Sequence, residues 1–149
     1  RMLVKIEIRT DEAASEPRII IITDKVTPEI TEIVNRISEK TTRRIIGFKG
    51  EESVILEKEE IIRIYTENAK TFAVTEKGRY LLKTRLYELE ERLDKDMFIR
   101  ISHSEIINLK KVKSFDFSFS GTVLIKLCDG NTAYSSRRYV AKIKKALDI

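Results

Sequence analysis

The side chains able to do chemistry in this sequence are few. It holds one histidine, His103, and one cysteine, Cys128. One residue of each kind cannot assemble a multi-histidine or multi-cysteine metal site. A nucleophilic triad would need His103 itself as the base. Neither G-x-x-x-x-G-K-[ST] nor G-x-G-x-x-G occurs, so no glycine loop is available to cradle phosphates. The paired carboxylates Glu51-Glu52, Glu59-Glu60 and Glu90-Glu91 are sequence neighbours near turns or on an exposed helix, where carboxylates are solvated charge. The reading is therefore of a non-enzyme with no catalytic residue, cofactor, metal or small-molecule substrate. A nuclease using His103 as base is the weakest rival.

Binding chemistry is better provided for. His103 lies at the polar tip Ser102-His103-Ser104, between the apolar-rich segments Phe98–Ile101 and Ile106-Ile107. A segment that leaves a packed strand, shows three polar residues and re-enters the core is suited to presenting them. A second candidate is Ser135-Ser136-Arg137-Arg138-Tyr139, where a strand meets a helix start whose free N–H groups attract phosphate. Arginine there can pair bidentately with guanine or with phosphate. Against these stand plainer roles: His103 as a turn residue bonded to backbone, and Arg137 and Arg138 as an exposed first turn. Two cations are electrostatically misplaced in a first turn, which favours a function needing positive charge.

Charge distribution points the same way. The net charge is +5, but residues 97–149 carry 10 Lys/Arg against 4 Asp/Glu, and residues 1–96 carry 19 against 20. The basic excess is confined to the last third, which also contains Lys110 and Lys111. A localised positive field favours a polyanion, nucleic acid before an anionic membrane surface. Solubility alone is the plain alternative.

The elements that must hold these residues follow from periodicity. Met2–Arg9 alternates as a strand, and Arg18–Thr23 reads as a short strand buried on both faces. Thr27-Pro28 opens a helix with Ile30, Ile33, Val34 and Ile37 on one stripe. Residues 1–42 are thus a small β-β-α segment serving dimerisation or regulation. From residue 43 short strands dominate, with turns at Lys49–Glu52, Lys77-Gly78, Ser120-Gly121 and Asp129-Gly130. Leu82, Leu86, Leu89 and Leu93 predict a helix with a Glu88–Arg92 pair outside, and Ser136 caps a terminal helix bearing Val140, Ile143 and Leu147. Residues 43–149 form a mainly β domain, making the chain α+β overall with antiparallel sheets. No helix there has helix-turn-helix spacing, so any base readout must come from loops. The longest aliphatic run, Ile19–Ile22, is far short of a membrane span. No secretory pattern opens the chain, Arg1 before Met2 points to Met2 as the natural start, and the expected location is cytoplasmic.

Met97–Leu109, followed by Val112, resembles the central motif of LytTR-type DNA-binding domains. Asp129-Gly130 with Tyr134–Tyr139 resembles that family's closing motif. The resemblance spans about residues 43–149 and implies an elongated arrangement of antiparallel sheets whose loops enter the major groove of double-stranded promoter DNA. It implies base reading by His103 and Arg138, with Lys70 and Thr71 in a third DNA-contacting loop, Asn68 to Thr71. Ser102, Ser104, Arg137, Lys110 and Lys111 become backbone contacts or support, and Arg100 an internal brace against an acidic neighbour. It implies a stand-alone bacterial transcription regulator reading direct repeats as a homodimer. Such regulators are commonly encoded beside a membrane protein that inhibits them. The alternative is a basic adaptor or anti-regulator docking an acidic protein or a membrane.

Overall fold

The computed structural model describes residues 3–41 and 44–149. The chain divides into two compact units, residues 1–38 and 39–149. The boundary expected between residues 42 and 43 falls on two residues outside the described ones.

Among the described residues of the first unit one element begins, helix α1 (Pro28–Thr41), which runs past the unit's last residue. Thr27 caps it as expected: the Ile30 amide donates to Thr27 Oγ1 at 3.3 Å, and Glu29 sits in the first turn. The strands expected at Met2–Arg9 and Arg18–Thr23 are not formed among the described residues, and Met2 lies outside them. Nor is Ile19–Ile22 buried; Ile22 is 94% exposed. Alternation makes a segment fit for a strand, but a strand exists only when its backbone finds a partner. A lone two-stranded ribbon is marginal in water.

The second unit is mainly β. Its strands are β1 (Ile45–Lys49), β2 (Glu52–Leu56), β3 (Arg63–Glu67), β4 (Lys70–Thr75), β5 (Gly78–Leu82), β6 (Phe98–Ser102), β7 (Glu105–Asn108), β8 (Val112–Asp116), β9 (Leu124–Leu127) and β10 (Thr132–Tyr134). Helix α2 (Leu86–Arg92) precedes β6, and α3 (Val140–Ala146) follows β10. One antiparallel sheet runs β2-β1-β5-β4-β3-β7-β6 and a second runs β10-β9-β8. Close packing shows at Gly47, where an added Cβ would stand 2.6 Å from Tyr80 Cβ; only glycine fits.

Two cores flank the β6–β7 hairpin. On one side Phe98 and Ile106 join Ile64, Ala73, Tyr80, Leu82, Leu86, Leu89 and Leu93. On the other, Ile99, Ile101 and Ile107 join Val123, Ile125 and Leu127 of the small sheet and Ile143 of α3. Period-2 alternation that ordinarily separates core from solvent here separates core from core, so four of the five β6 residues are buried. The expected leucine helix is shorter than its stripe: Leu82 ends β5, yet all four leucines share one core. The expected Glu88–Arg92 pair is replaced, since Arg92 donates to the Arg44 carbonyl at 3.5 Å.

One buried amide fastens the hairpin's lower end. Asn108 is fully buried; its Nδ2 donates to the Ile61 carbonyl at 2.8 Å and its Oδ1 accepts from the Lys110 amide at 2.9 Å. Asn108→Ala leaves both backbone groups without a partner, so unfolding free energy should fall by about 2–3 kcal/mol. Urea denaturation of the purified chain measures this. A loss under about 0.5 kcal/mol would show that the amide is not a fastening point.

Candidate nucleic-acid interface

The hairpin β6–β7 turns at Ser102-His103-Ser104, with His103 and Ser104 exposed and Ser102 half-buried. The turn makes its own bonds, as three short polar residues can: the Ser104 amide donates to Ser102 Oγ at 3.2 Å. Its main support comes from Arg100, only 8% exposed. Arg100 Nε donates to the Ser102 carbonyl at 2.8 Å, Nη2 to the His103 carbonyl at 2.6 Å and Nη1 to Glu90 Oε1 at 3.1 Å. The planar fork reaches two turn carbonyls and a carboxylate at once, which a lysine cannot do. Glu90, on α2, also takes Lys142 of α3 at 3.4 Å. This is the internal brace expected of Arg100, and it consumes that cation within the fold.

Two further loops are bonded to the same tip. The Thr66 amide of β3 donates to the Ser104 carbonyl at 2.9 Å, placing the β3–β4 turn beside it. That turn is Asn68-Ala69, at φ 52° and 62°. Both values lie in the left-handed region that a tight hairpin turn demands, where asparagine is tolerated and alanine is strained. Of the two residues expected to contact DNA from this loop, Lys70 is exposed, whereas Thr71 is 7% exposed within the sheet. The other loop follows β10. There the Ser136 amide donates to the Ile101 carbonyl at 2.9 Å, one residue before the tip begins.

The arginines on that loop are placed by different means. Arg137 and Arg138 begin a single 3-10 turn, Arg137–Tyr139, ahead of α3, rather than the first turn of a continuous helix. Ser136 provides no side-chain cap; Ser135 is the structural residue, its buried Oγ accepting from the Val123 amide at 3.0 Å. Arg137 lies against Gly121, where a Cβ would stand 2.6 Å from its Nε. Gly121 adopts φ 74°, so the Ser120-Gly121 turn shapes the seat for this guanidinium. Nothing in the linear spacing between residues 121 and 137 signals that contact. Arg138 lies over the Tyr139 ring, 5.5 Å from its centroid. Both arginines are exposed.

The structure thus brings together His103, Ser102, Ser104, Arg137, Arg138 and Lys70, on the β6–β7 turn and two loops each bonded to that hairpin. It sets Lys110 and Lys111 apart. They follow β7 at the opposite end of the hairpin, about 13 Å of strand away at roughly 3.3 Å per residue, and the Lys111 carbonyl accepts from the Cys128 amide. The acid nearest the tip, Glu105, is turned inward onto Arg63 at 3.0 Å. Burial pushes its carboxyl above the usual range, while Arg63 pulls the other way. A surface carrying exposed cations and hydroxyls on short loops can take phosphates and base edges. No group of three or more His, Cys, Asp or Glu able to hold a metal ion occurs among the described residues. No described helix is long and apolar enough to cross a membrane.

Comparison with known proteins gives this surface a context. The chain is 30% identical over 148 residues to an uncharacterized HTH-type transcriptional regulator of Staphylococcus aureus strain MSSA476, covering 99% of this chain and 100% of that one. A counterpart from strain MRSA252 matches at the same identity and coverage. Among the described residues of the second unit, α2 and α3 are separated by five strands, so they do not form a helix-turn-helix pair. In fold, the chain is similar to the LytTr DNA-binding domain of a methyl-accepting/DNA response regulator from Bacillus cereus. That likeness has a TM-score of 0.69 at 22% identity, over 72% of this chain and 99% of that one. Residues 51–148 match the family described as LytTr DNA-binding domain. Carrying that match across two thirds of its length, the chain belongs to the LytTR DNA-binding domain family.

Proposed function

We propose that this protein is a sequence-specific bacterial transcription regulator that reads direct repeats in promoter DNA through major-groove loops. In this reading His103 and Arg138 contact base edges, while Ser102, Ser104, Arg137 and Lys70 hold phosphates, and Thr71 supports the third loop from within the sheet. Lys110 and Lys111 stand at the other end of the hairpin and act on DNA only through the general field. The regulator works in the cytoplasm as a homodimer and is held in check by a membrane protein encoded nearby. The observation that supports the reading most directly is the bonding of three loops at one end, through Thr66 to Ser104 and Ser136 to Ile101. The loops are short and fixed, as recognition without a reading helix requires.

Binding to promoter DNA and to random duplex, titrated by fluorescence anisotropy across salt concentrations, tests the reading. A promoter preference with a salt slope of several ion contacts is expected. Equal binding to both duplexes would instead favour a basic adaptor whose partner is an acidic protein or a membrane. Arg138→Ala should weaken promoter binding by about 1–3 kcal/mol, at unchanged stability. His103→Ala should relax the preference at a single base position in a binding selection; an unaltered preference returns His103 to a turn residue. Arg100→Met should lower stability by about 2 kcal/mol, because it leaves two turn carbonyls without their donor and takes one of two cations from a half-buried Glu90. The same substitution should also weaken promoter binding, although Arg100 does not face the DNA; binding that stays intact would sink its positioning role.

A further inference from the structure

Among its described residues the first unit has no core of its own. None of residues 3–37 is buried, and Leu3, Ile6, Ile8, Ile19, Ile20 and Ile22 are each at least 67% exposed. Even the apolar stripe of α1 is only half covered, with Val34 at 44%. So much aliphatic surface on so short a stretch marks an interaction site. The composition of residues 3–9 is complementary to itself. Val4, Ile6 and Ile8 alternate with Lys5, Glu7 and Arg9, and Glu7 pairs with Arg9 at 3.1 Å on one side.

We propose that residues 3–9 pair antiparallel with the same residues of a second copy, centred on Ile6. In this register Lys5 stands opposite Glu7 of the partner copy, twice by symmetry, and Val4 opposite Ile8. Opposite charges and matched aliphatic side chains across strands both stabilise a sheet. Neighbouring registers match less well. Centring on Lys5 or Glu7 sets like charges face to face, as does parallel in-register pairing. Centring on Ile8 also sets opposite charges together, Glu7 with Arg9, but it opposes Ile6 with Thr10, so it buries fewer matched aliphatic pairs, and it calls on Asp11 from within a turn closed by the Ala13 amide at 2.9 Å. The pairing gathers six aliphatic side chains on one face, for Ile19–Ile22 to cover. It also supplies the backbone partner that residues 3–9 lack in a single copy, and a symmetric contact closes the dimer. This rests on the homodimer reading above and assigns its interface.

Sedimentation equilibrium of the full chain without DNA tests the register. Lys5→Glu or Glu7→Lys alone should each raise the dimer dissociation constant roughly tenfold, by replacing two attractive pairs with two repulsive ones. The double variant Lys5→Glu/Glu7→Lys should return it to within about twofold of the parent. Mixing the two single variants should yield the mixed dimer in preference to either self-dimer. A parent chain that stays monomeric at tens of micromolar overturns the proposal. So does a double variant as weak as the singles, the outcome expected of the register centred on Ile8. A monomer that instead binds phosphatidylcholine vesicles overturns it too and points to a membrane partner. Each single variant should keep the parent's affinity for a single-repeat duplex. Failure of DNA recognition therefore registers separately from failure of the dimer contact.

Discussion

The candidate interface depends on one guanidinium. Arg100 holds the carbonyls of Ser102 and His103 and the carboxylate of Glu90 with one planar group. Through Glu90 it reaches α2, and through the second oxygen of that carboxylate it reaches Lys142 on α3. Without it, a three-residue turn of small polar side chains would have several comparable arrangements, and the residue at its apex would have no fixed direction. A buried ion pair adds little net stability over an apolar substitute. Its contribution here is to geometry: a rigid apex on which two other loops are bonded.

Rigidity also comes from below. The β6–β7 hairpin is covered on both faces, by two separate cores, so every odd and even residue from Phe98 to Ile101 is anchored. Asn108 closes the other end by satisfying Ile61 and Lys110 at once. A strand pair packed this way cannot slip by one residue without driving Arg100 into an apolar core. The fold thus places its most constrained backbone next to its most exposed polar tip.

Much of this was legible in the residues. Thr27-Pro28 announced α1, paired turn residues announced the hairpins, and the leucine spacing announced α2, because those signals act within a few residues. The Ser102–Ser104 break and the Arg137-Arg138 pair stood out by composition. What local signals left out has a common cause. Residues 3–9 and 18–23 have strand composition but pair with no strand among the described residues of a single copy. Thr71 follows Lys70 in the loop expected to contact DNA yet points inward, because side chains alternate along β4. Lys110 and Lys111 lie close to the tip in sequence, but β7 carries them away from it.

The sequence by itself determined that the last third is basic, that the one histidine and one cysteine cannot build a multi-ligand metal site, and which short motifs carry the family likeness. Residue types and local spacing suffice for that. Only the tertiary structure decided which polar residues share a surface. Two backbone hydrogen bonds, joining segments 38 and 35 residues apart, bring the three loops together. Whether Arg137 rests on Gly121, and whether Arg100 turns inward, is likewise set by contacts between distant parts of the chain. Periodicity and local composition carry no record of such contacts.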